Sequence, residues 1–322
     1  MPAAHDATGS PSAHAAPETP VVSVIMIFLD AQRFIVEAID SVLAQTYPAW
    51  ELILVDDGSS DDSTRIARGH AELRPGQVRY VEHEGHRNLG MSASRNAGIA
   101  ASRGELIAFL DADDVYRPEK LARQVAILER RPRAAMVYGA SQYWHSWTGE
   151  PGDLALDRPR RLGVAPDTLV EPPALIALYL SGEARTAAMC ALLVRRGAVE
   201  QVGGFEDSFS GMFEDQVFLF KLCLRHAVFV EIGSWDRYRQ HPESYVARER
   251  RSGNDIRRES TPEQRAFLEW LERHLAEQGI ADADLRAALR RATRPYHHPL
   301  AHRLSPRRGV RRLLGLRRRL TA

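Results

Sequence analysis

The sequence predicts an α/β protein with a mostly parallel sheet that is flanked by helices. Short apolar runs alternate with stretches of helical periodicity through the first half of the chain, which is the pattern of βαβ units. The 322 residues are 44% hydrophobic and 26% charged, as expected of a soluble globular protein with a large core. Two of the apolar runs end in clusters of aspartates. Open sheets of this kind bind ligands beyond the carboxyl ends of their strands.

The individual elements follow from the spacing of apolar residues. Continuous runs rich in β-branched and aromatic residues predict buried strands, whereas apolar residues at every third or fourth position predict helices. The predicted strands span residues 21–29, 50–55, 78–82, 106–110, 134–138, 186–195 and 229–232. The predicted helices span residues 34–43, 64–73, 92–102, 118–130 and 213–224.

Changes in composition divide the chain into three segments. Residues 1–19 are rich in Ala, Pro, Ser and His without periodicity, which predicts a disordered leader. Residues 20–247 are expected to form the α/β domain, in two parts that meet between residues 140 and 141. The second part contains a Pro-, Gly- and charge-rich stretch at 149–173, which predicts a mobile surface connection. Residues 248–322 are charged and predict a helical, arginine-rich extension.

Residues 104–118 contain the most informative sequence. Residues 106–110 are apolar throughout, and Asp111, Asp113 and Asp114 follow them. In an extended chain Asp111 and Asp113 project to the same side, where like charges repel unless a cation lies between them. Mg²⁺ or Mn²⁺ prefers such oxygen ligands. The alternative is an acidic turn that caps the next helix.

A second acidic pair, Asp56 and Asp57, follows the strand predicted at 50–55. Because the carboxyl ends of parallel strands meet at one edge of a sheet, we expect both acidic clusters to line one crevice. The alternative for Asp57 is a residue that forms the turn before Gly58. The sequence contains neither the GxGxxG nor the GxxxxGK pattern. We therefore expect that bound phosphates are held through a metal.

The charge of the chain is balanced overall but uneven. The formal net charge is +1, and no nucleic-acid-binding module is recognisable, so no nucleic-acid partner is expected. Seven arginines between Arg307 and Arg319 are interleaved with Val and Leu. Two interpretations remain open for them: a solvated end, or a basic amphipathic segment that lies on anionic lipid.

Cysteine content and hydropathy indicate the compartment. Cys190 and Cys223 are the two cysteines, they lie in apolar segments, and they lack metal-ligand spacing. No signal pattern or apolar segment of about 18 residues is present. We therefore expect a cytoplasmic protein, with peripheral contact at the inner membrane face if the arginines bind lipid.

A spaced series of motifs resembles that of the family 2 glycosyltransferases. It consists of VSVI at 22–25, AIDSVLAQT at 38–46, ELILVDDGS at 51–59, SRNAG at 94–98, DADD at 111–114, ED at 214–215 and YRQH at 238–241. The resemblance covers about residues 21–245. It implies the Rossmann-like GT-A fold, inverting transfer from a nucleoside-diphosphate sugar, and Mn²⁺ or Mg²⁺ as cofactor.

For the donor, the resemblance implies that residues 20–140 bind the nucleotide sugar. Asp57, with Asp56 beside it, resembles the residue that accepts a hydrogen bond from the base. Leu29 and Asp30 follow the first strand, where the family often has an aromatic residue that stacks on the base. This departure argues against a strict preference for uridine. Arg95 either meets phosphate or braces the aspartates.

For the metal, the resemblance implies that Asp111 and Asp113 are the DxD pair at the metal and diphosphate. Asp114 is expected as a further ligand. His241 resembles a histidine that contacts the metal or diphosphate in several relatives. The alternative for a lone histidine before a proline is a structural or surface role.

For the acceptor, the resemblance implies that residues 141–247 bind it and that Asp215 is the base that activates its hydroxyl. The alternative is that Glu214 and Asp215 only stabilise a helix start. Glu214, Trp144 and Trp147 are candidate contacts to sugar or acceptor, and packing is the alternative for the tryptophans.

The expected function is therefore metal-assisted transfer of a sugar, from a UDP-sugar in preference, to a sugar, lipid-linked or other hydroxyl acceptor. Synthesis of cell-surface polysaccharide or glycoconjugate is the expected setting. Two rivals remain. One is a sugar nucleotidyltransferase, a class that normally carries a Gly-rich basic loop after its first strand. The other is an inactive protein that binds sugar nucleotides or acts as a scaffold.

Overall fold

The computed structural model describes residues 21–252 and 261–297, so the predicted leader and the arginines from Arg307 to Arg319 lie outside the described residues. The strands are β1 (Val22–Phe28), β2 (Trp50–Asp56), β3 (Val78–Glu82), β4 (Leu106–Asp111), β5 (Val115–Tyr116), β6 (Met136–Tyr138), β7 (Gln142–Trp144), β8 (Arg158–Pro159), β9 (Thr168–Val170), β10 (Leu192–Arg195), β11 (Val228–Val230) and β12 (Asp236–Arg239). The helices are α1 (Ile35–Leu43), α2 (Ser63–Leu73), α3 (Met91–Ala101), α4 (Lys120–Arg130), α5 (Ala174–Ser181), α6 (Arg196–Gln201), α7 (Glu214–Arg225), α8 (Tyr245–Arg251), α9 (Pro262–Glu277) and α10 (Ala283–His297).

The main sheet has the order β3-β2-β1-β4-β10-β6-β11-β9. Its first four strands are parallel, whereas β10 runs antiparallel to both β4 and β6, and β9 runs antiparallel to β11. All seven residues of β1 and of β2 are buried, because helices cover both faces of the sheet. The predicted α/β class is confirmed, and the antiparallel strands fall in its second half.

Alternate residues of β1 contribute to two core layers. Val24 and Met26 face the layer that includes α1 and α4, and Ile25 faces the layer that includes α7 and α9. Helix α3 approaches the sheet closely at Gly98, where an added Cβ would lie 2.4 Å from Ile25 Cγ2. A glycine at this position lets α3 carry Arg95 directly beneath the strand ends.

A second sheet, of order β5-β12-β7-β8, was not predicted from the sequence. Several strand predictions were also too long, including 134–138, of which only Met136–Tyr138 is a strand. Only Leu192–Arg195 of the segment 186–195 is a strand, since Met189–Ala191 forms a 3-10 turn, and β11 ends before the exposed Ile232. The connection expected at 149–173 contributes β8 to the second sheet and β9 to the main sheet.

The described part of the C-terminal extension is helical, as predicted, and packs on the main core. Phe267 on α9 is 3% exposed. Its ring stacks on Phe213 at a centroid distance of 5.1 Å and meets Phe220 edge-on at the same distance. Within residues 21–252 and 261–297, every helix is too short or too polar to span a bilayer.

Replacing Phe267 with alanine is expected to lower the free energy of unfolding by about 3–5 kcal/mol, since it empties an aromatic site between α7 and α9. Chemical denaturation of the full chain measures this. The control is Leu73→Ala, because Leu73 is 75% exposed and should change stability by less than about 0.5 kcal/mol. Equal stability of the two variants would mean that α9 does not belong to the core.

Candidate active site

The carboxyl ends of β1, β2 and β4 meet at one edge of the main sheet. In the parallel registers Phe28 pairs with Asp56, and Ile27 pairs with Asp111. The two acidic segments therefore lie on either side of the end of β1, as predicted. Leu29 continues from β1 at this edge and is 42% exposed.

Asp56 braces the turn that leads into α2. Its side chain is fully buried. Oδ1 accepts a hydrogen bond from the Ser59 backbone N–H at 2.8 Å, and Oδ2 accepts from Thr64 Oγ1 at 2.6 Å and from the Tyr80 hydroxyl at 3.1 Å. Because the Asp56 carboxylate accepts three hydrogen bonds within the protein, it stabilises the wall of the crevice and does not project into it.

Asp57 holds the loop that precedes α3. Its carboxylate accepts hydrogen bonds from the backbone N–H groups of Leu89, at 2.8 Å, and Gly90, at 3.1 Å. His83 Nε2 lies 3.5 Å from Oδ1. The next residue, Gly58, has φ +86°, and an added Cβ would lie 2.8 Å from the Asn88 nitrogen. This geometry favours the turn interpretation of Asp57.

Asp30 fixes the turn after β1 to the same loop. It adopts a left-handed φ of +49°, a region open to aspartate at modest cost. Its Oδ1 accepts a hydrogen bond from the Ser60 N–H at 2.7 Å, and its own N–H donates to Ser59 Oγ at 3.1 Å. Leu29 is thereby held exposed beside the loop after β2.

Arg95 lies buried between two carboxylates. Nη2 is 2.8 Å from Asp111 Oδ1, Nη1 is 2.5 Å from Glu214 Oε1, and the side chain is 3% exposed. Burial raises the pKa of Asp111, and the guanidinium beside it opposes that shift. Phosphate binding and bracing of the aspartates were the two roles expected for Arg95. Its contacts in this structure are those of the bracing role.

Glu214 opens α7 and is 4% exposed. Burial raises its pKa from the ordinary 4.5 to about 8, against the opposing effect of Arg95. Oε2 has no hydrogen-bond partner among the described residues. The contact between Arg95 and Glu214 joins α3 to α7.

The pKa of Glu214 has a consequence for stability. Between its unfolded pKa of about 4.5 and its folded pKa of about 8, the folded chain keeps a proton that the unfolded chain has released, so this group's contribution falls as pH rises. We expect Glu214→Gln to flatten the decline in unfolding free energy between pH 5 and 8. Chemical denaturation across that range measures it, and parallel curves for wild type and variant would contradict it.

Asp215 follows at the start of α7 and is half-buried. Burial raises its pKa, Arg95 lowers it, and Asp111 raises it, so the residue lies within electrostatic reach of the aspartate cluster. Its Oδ1 accepts a hydrogen bond from the Gln216 N–H at 2.7 Å. The preceding Phe213 has a φ of +71°, which is strained for an aromatic residue, and its stack on Phe267 holds this entry to the helix.

Asp113 and His241 meet across the two sheets. His241 Nε2 lies 2.9 Å from Asp113 Oδ2, and the imidazole is 4% exposed while the carboxylate is 30% exposed. The His241 ring packs on Phe34 at a centroid distance of 4.7 Å. Asp113 and His241 are 128 positions apart in the sequence, and in the structure the pair lies beside Asp111.

Asp114 points inward. Its side chain is fully buried, and Oδ1 accepts a hydrogen bond from the Arg239 N–H at 2.8 Å. Burial, followed by repulsion from Asp113 and Asp111, raises its pKa well above the ordinary value. Oδ2 has no hydrogen-bond partner among the described residues. Asp114 thus ties β12 to the aspartate cluster.

The donor set of this corner suits a hard divalent cation. Asp111 and Asp113 supply carboxylates, His241 supplies an imidazole, and the mutual repulsion of the aspartates favours a positive charge between them. In the described parts of the chain, no three His, Cys, Asp or Glu side chains are gathered closely enough to hold a metal together. The residues present therefore fit Mn²⁺ or Mg²⁺ in chemistry, with part of the coordination left to other ligands.

The two candidate tryptophans pack against arginines. The Trp144 ring is 8% exposed and lies 4.4 Å from the Arg239 guanidinium carbon. Trp147 Nε1 donates a hydrogen bond to the Gln240 carbonyl at 3.0 Å, and its ring meets Phe34 edge-on. These contacts favour the packing interpretation of both residues, and a contact with acceptor stays a prediction.

Arg239 belongs to this site, although no role was predicted for it from the sequence. It is 3% exposed. Nε donates to the Asp113 carbonyl at 2.6 Å, and Nη2 donates to Glu37 Oε2 on α1 at 2.6 Å. The YRQH motif contains Arg239, but only the fold shows that it fixes the turn carrying Asp113 and Asp114.

The fold and the site define an α/β protein with a cluster of aspartates at the carboxyl ends of its parallel strands. Comparison with known proteins identifies its family. Residues 23–201 match the family described as glycosyl transferase family 2. The chain belongs to this family, because the match covers more than half of its length.

Curated relatives match about a third of the chain. The chain is 41% identical over 108 residues to the uncharacterized glycosyltransferase alr2836 of Nostoc sp., which is 34% of this chain and 33% of that protein. It is 44% identical over 95 residues to the uncharacterized glycosyltransferase EpsJ of Bacillus subtilis, which is 30% of this chain and 26% of that protein. The chain thus spans about a third or less of these relatives' lengths.

Solved structures share the fold. TarS 1–349 of S. aureus, in complex with UDP-GlcNAc, matches with a TM-score of 0.61 and 17% identity over 83% of this chain and 69% of that one. The mannosyltransferase PcManGT of Pyrobaculum calidifontis, in complex with GDP-Man and Mn²⁺, matches with a TM-score of 0.58 and 18% identity over 87% and 70%. The predicted GT-A fold is confirmed.

Proposed function

We propose that this chain is an inverting glycosyltransferase that moves a sugar from a nucleoside-diphosphate sugar, UDP-sugars in preference, to a hydroxyl acceptor in polysaccharide or glycoconjugate synthesis. The observation that carries the proposal is the convergence of the Asp113–His241 pair, the Arg95-bound Asp111 and the half-buried Asp215 at one sheet edge. Membership of family 2 and neighbours bound to UDP-GlcNAc and GDP-Man support this class of donor.

On the donor side, Asp111, Asp113 and His241 would hold Mn²⁺ or Mg²⁺. Such a cation, when bound, stabilises the negative charge of a departing diphosphate. The protein's own part is positioning: Arg95 orients Asp111, and Arg239 fixes the turn of Asp113. Asp114 helps to position this turn, because its carboxylate accepts a hydrogen bond from the Arg239 N–H. Asp57 shapes the loop 88–90, and the resemblance implies that the nucleotide base binds beside Asp57.

On the acceptor side, Asp215 takes the proton of the acceptor hydroxyl as its oxygen bonds to the anomeric carbon. The bond from that carbon to the diphosphate oxygen breaks in the same step, and the electron pair leaves with the diphosphate. Because entry and departure occur on opposite faces, the configuration inverts. The raised pKa of Asp215 makes it a stronger base than an exposed aspartate.

Incubation of the full chain with Mn²⁺ and a panel of nucleoside-diphosphate sugars tests the proposal. Metal-dependent release of nucleoside diphosphate, accelerated by acceptor sugars, is the expected result. Breakdown that requires pyrophosphate would instead indicate a nucleotidyltransferase. Binding without turnover across the panel would indicate the inactive, scaffolding alternative.

The arginines between Arg307 and Arg319 lead to a second proposal about partners. Alternation of arginine with Val and Leu suits contact with an anionic membrane surface, which would bring a lipid-linked acceptor to the enzyme. Vesicle flotation of the full chain against a variant ending at Leu300 tests it. Stronger flotation of the full chain is expected, and equal flotation would reject the contact.

A further inference from the structure

The outer face of the second sheet carries two arginines that the site above does not use. Arg237 pairs with Val115 in the antiparallel register of β12 and β5, and the Arg117 N–H donates to the Trp235 carbonyl at 2.8 Å. This bond continues the strand pairing one residue beyond β5 and β12, so alternation places Arg117, Trp235 and Arg237 on one face. Tyr116 and Asp236 fall on the other face and are buried.

These side chains line a cavity of about 240 Å³, whose wall also includes Ser234 and Glu119. Arg117 Nε, Arg237 Nε and Ser234 Oγ are buried and have no hydrogen-bond partner among residues 21–252 and 261–297. Leaving such groups unsatisfied is costly. Because these three atoms are closed to solvent, a ligand in the cavity would meet the outer nitrogens of the two guanidinium groups, which suits a ligand that accepts hydrogen bonds.

Both guanidinium groups are held in place by neutral neighbours. The Arg237 guanidinium carbon lies 5.1 Å from the Trp144 ring centroid, and Arg117 Nη2 donates to Gln142 Oε1 at 2.5 Å. Neither arginine forms an ion pair with a carboxylate of the described residues, although Glu119 lines the same cavity. Their positive charge is thus available to an anion.

We propose that this cavity binds a phosphate group through the outer guanidinium nitrogens of Arg117 and Arg237. Two fixed guanidinium forks match the spacing of phosphate oxygens better than a mobile lysine would. The cavity lies beside the aspartate corner: the Trp144 ring contacts both Arg237 and Arg239, but Asp111, Asp113, Asp215 and His241 are not among the residues that line it. The proposal does not depend on the transfer activity proposed above.

Calorimetric titration of the full chain with inorganic phosphate, in the absence of divalent metal, tests the site. Arg117→Gln and Arg237→Gln should each raise the dissociation constant about tenfold or more, the loss expected for a charge-assisted hydrogen bond. Glu119→Gln should lower it, because it removes the one repelling carboxylate of the wall. Arg130→Gln, at an exposed position on α4, is the matched control and should leave it unchanged.

Four further measurements complete the test. Thermal melting identifies any variant that fails to fold, and Arg237→Lys then reports the effect of geometry with the charge kept. Asp113→Asn should leave phosphate affinity unchanged, which separates this cavity from the proposed donor site. Flotation on phosphatidic acid against phosphatidylcholine vesicles distinguishes a lipid headgroup from a soluble phosphorylated ligand as the source. Absence of saturable phosphate binding, or the same affinity in all arginine and glutamate variants, would overturn the proposal.

Discussion

Asp113→Asn is expected to lower the rate of sugar transfer on the order of a thousandfold while the protein stays folded. A divalent cation contributes several kcal/mol to stabilising a departing diphosphate, and a loss of about 4 kcal/mol corresponds to roughly three powers of ten in rate. Asp113 is the most suitable carboxylate to change, because it is 30% exposed and faces His241. Asparagine keeps its size but removes the charge.

Initial rates across a Mn²⁺ titration measure this effect. We expect the variant to need more Mn²⁺ for half-maximal rate as well as to turn over slowly, since a metal ligand is weakened. Asp40→Asn, at an exposed position of α1, is the matched control and should behave as wild type. If Asp113→Asn kept the wild-type rate and metal requirement, Asp113 would not be a ligand of a catalytic metal.

Asp215→Asn is expected to reduce turnover by about 10²–10⁴-fold, the usual contribution of a positioned general base. The loss should appear in kcat and leave the binding of the donor intact, because Asp215 is proposed to act on the acceptor hydroxyl. Asp284→Asn, at an exposed position of α10, provides the control for the same chemical change.

The pH profile gives the same prediction a second readout. Burial raises the pKa of Asp215, and a base works only when deprotonated. The rate of the wild type should therefore rise with pH through a limb that lies above the ordinary aspartate range, and Asp215→Asn should lack this limb. An unchanged limb in the variant would assign the base to another residue.

The strands with continuous apolar sequence were predictable, and the short polar ones were not. β1, β2 and β4 consist mainly of buried apolar residues, and β2 and β4 each end in an aspartate, a pattern that local sequence carries. β5 has two residues, and β12 contains the buried, charged Asp236 and Arg239. Their pairing depends on contacts between distant segments, which no local periodicity records.

The same division applies to the candidate site. Motifs indicated Asp111, Asp113, Asp215 and His241, and strand topology predicted that the acidic clusters share an edge. The bracing contacts depend on tertiary structure: Arg95 meets Glu214 across 119 positions of sequence, and Arg239 meets the turn of Asp113 across 126. Arginine is compatible with many partners, so its sequence position alone could not distinguish bracing from phosphate binding.

Crystallography of the full chain with Mn²⁺ and UDP, with anomalous data collected at the manganese edge, tests the central claim most directly. We expect one anomalous peak in contact with Asp113, close to His241 and Asp111, with the diphosphate of UDP on its open side. A nucleotide bound elsewhere, or manganese without Asp113 among its ligands, would contradict it.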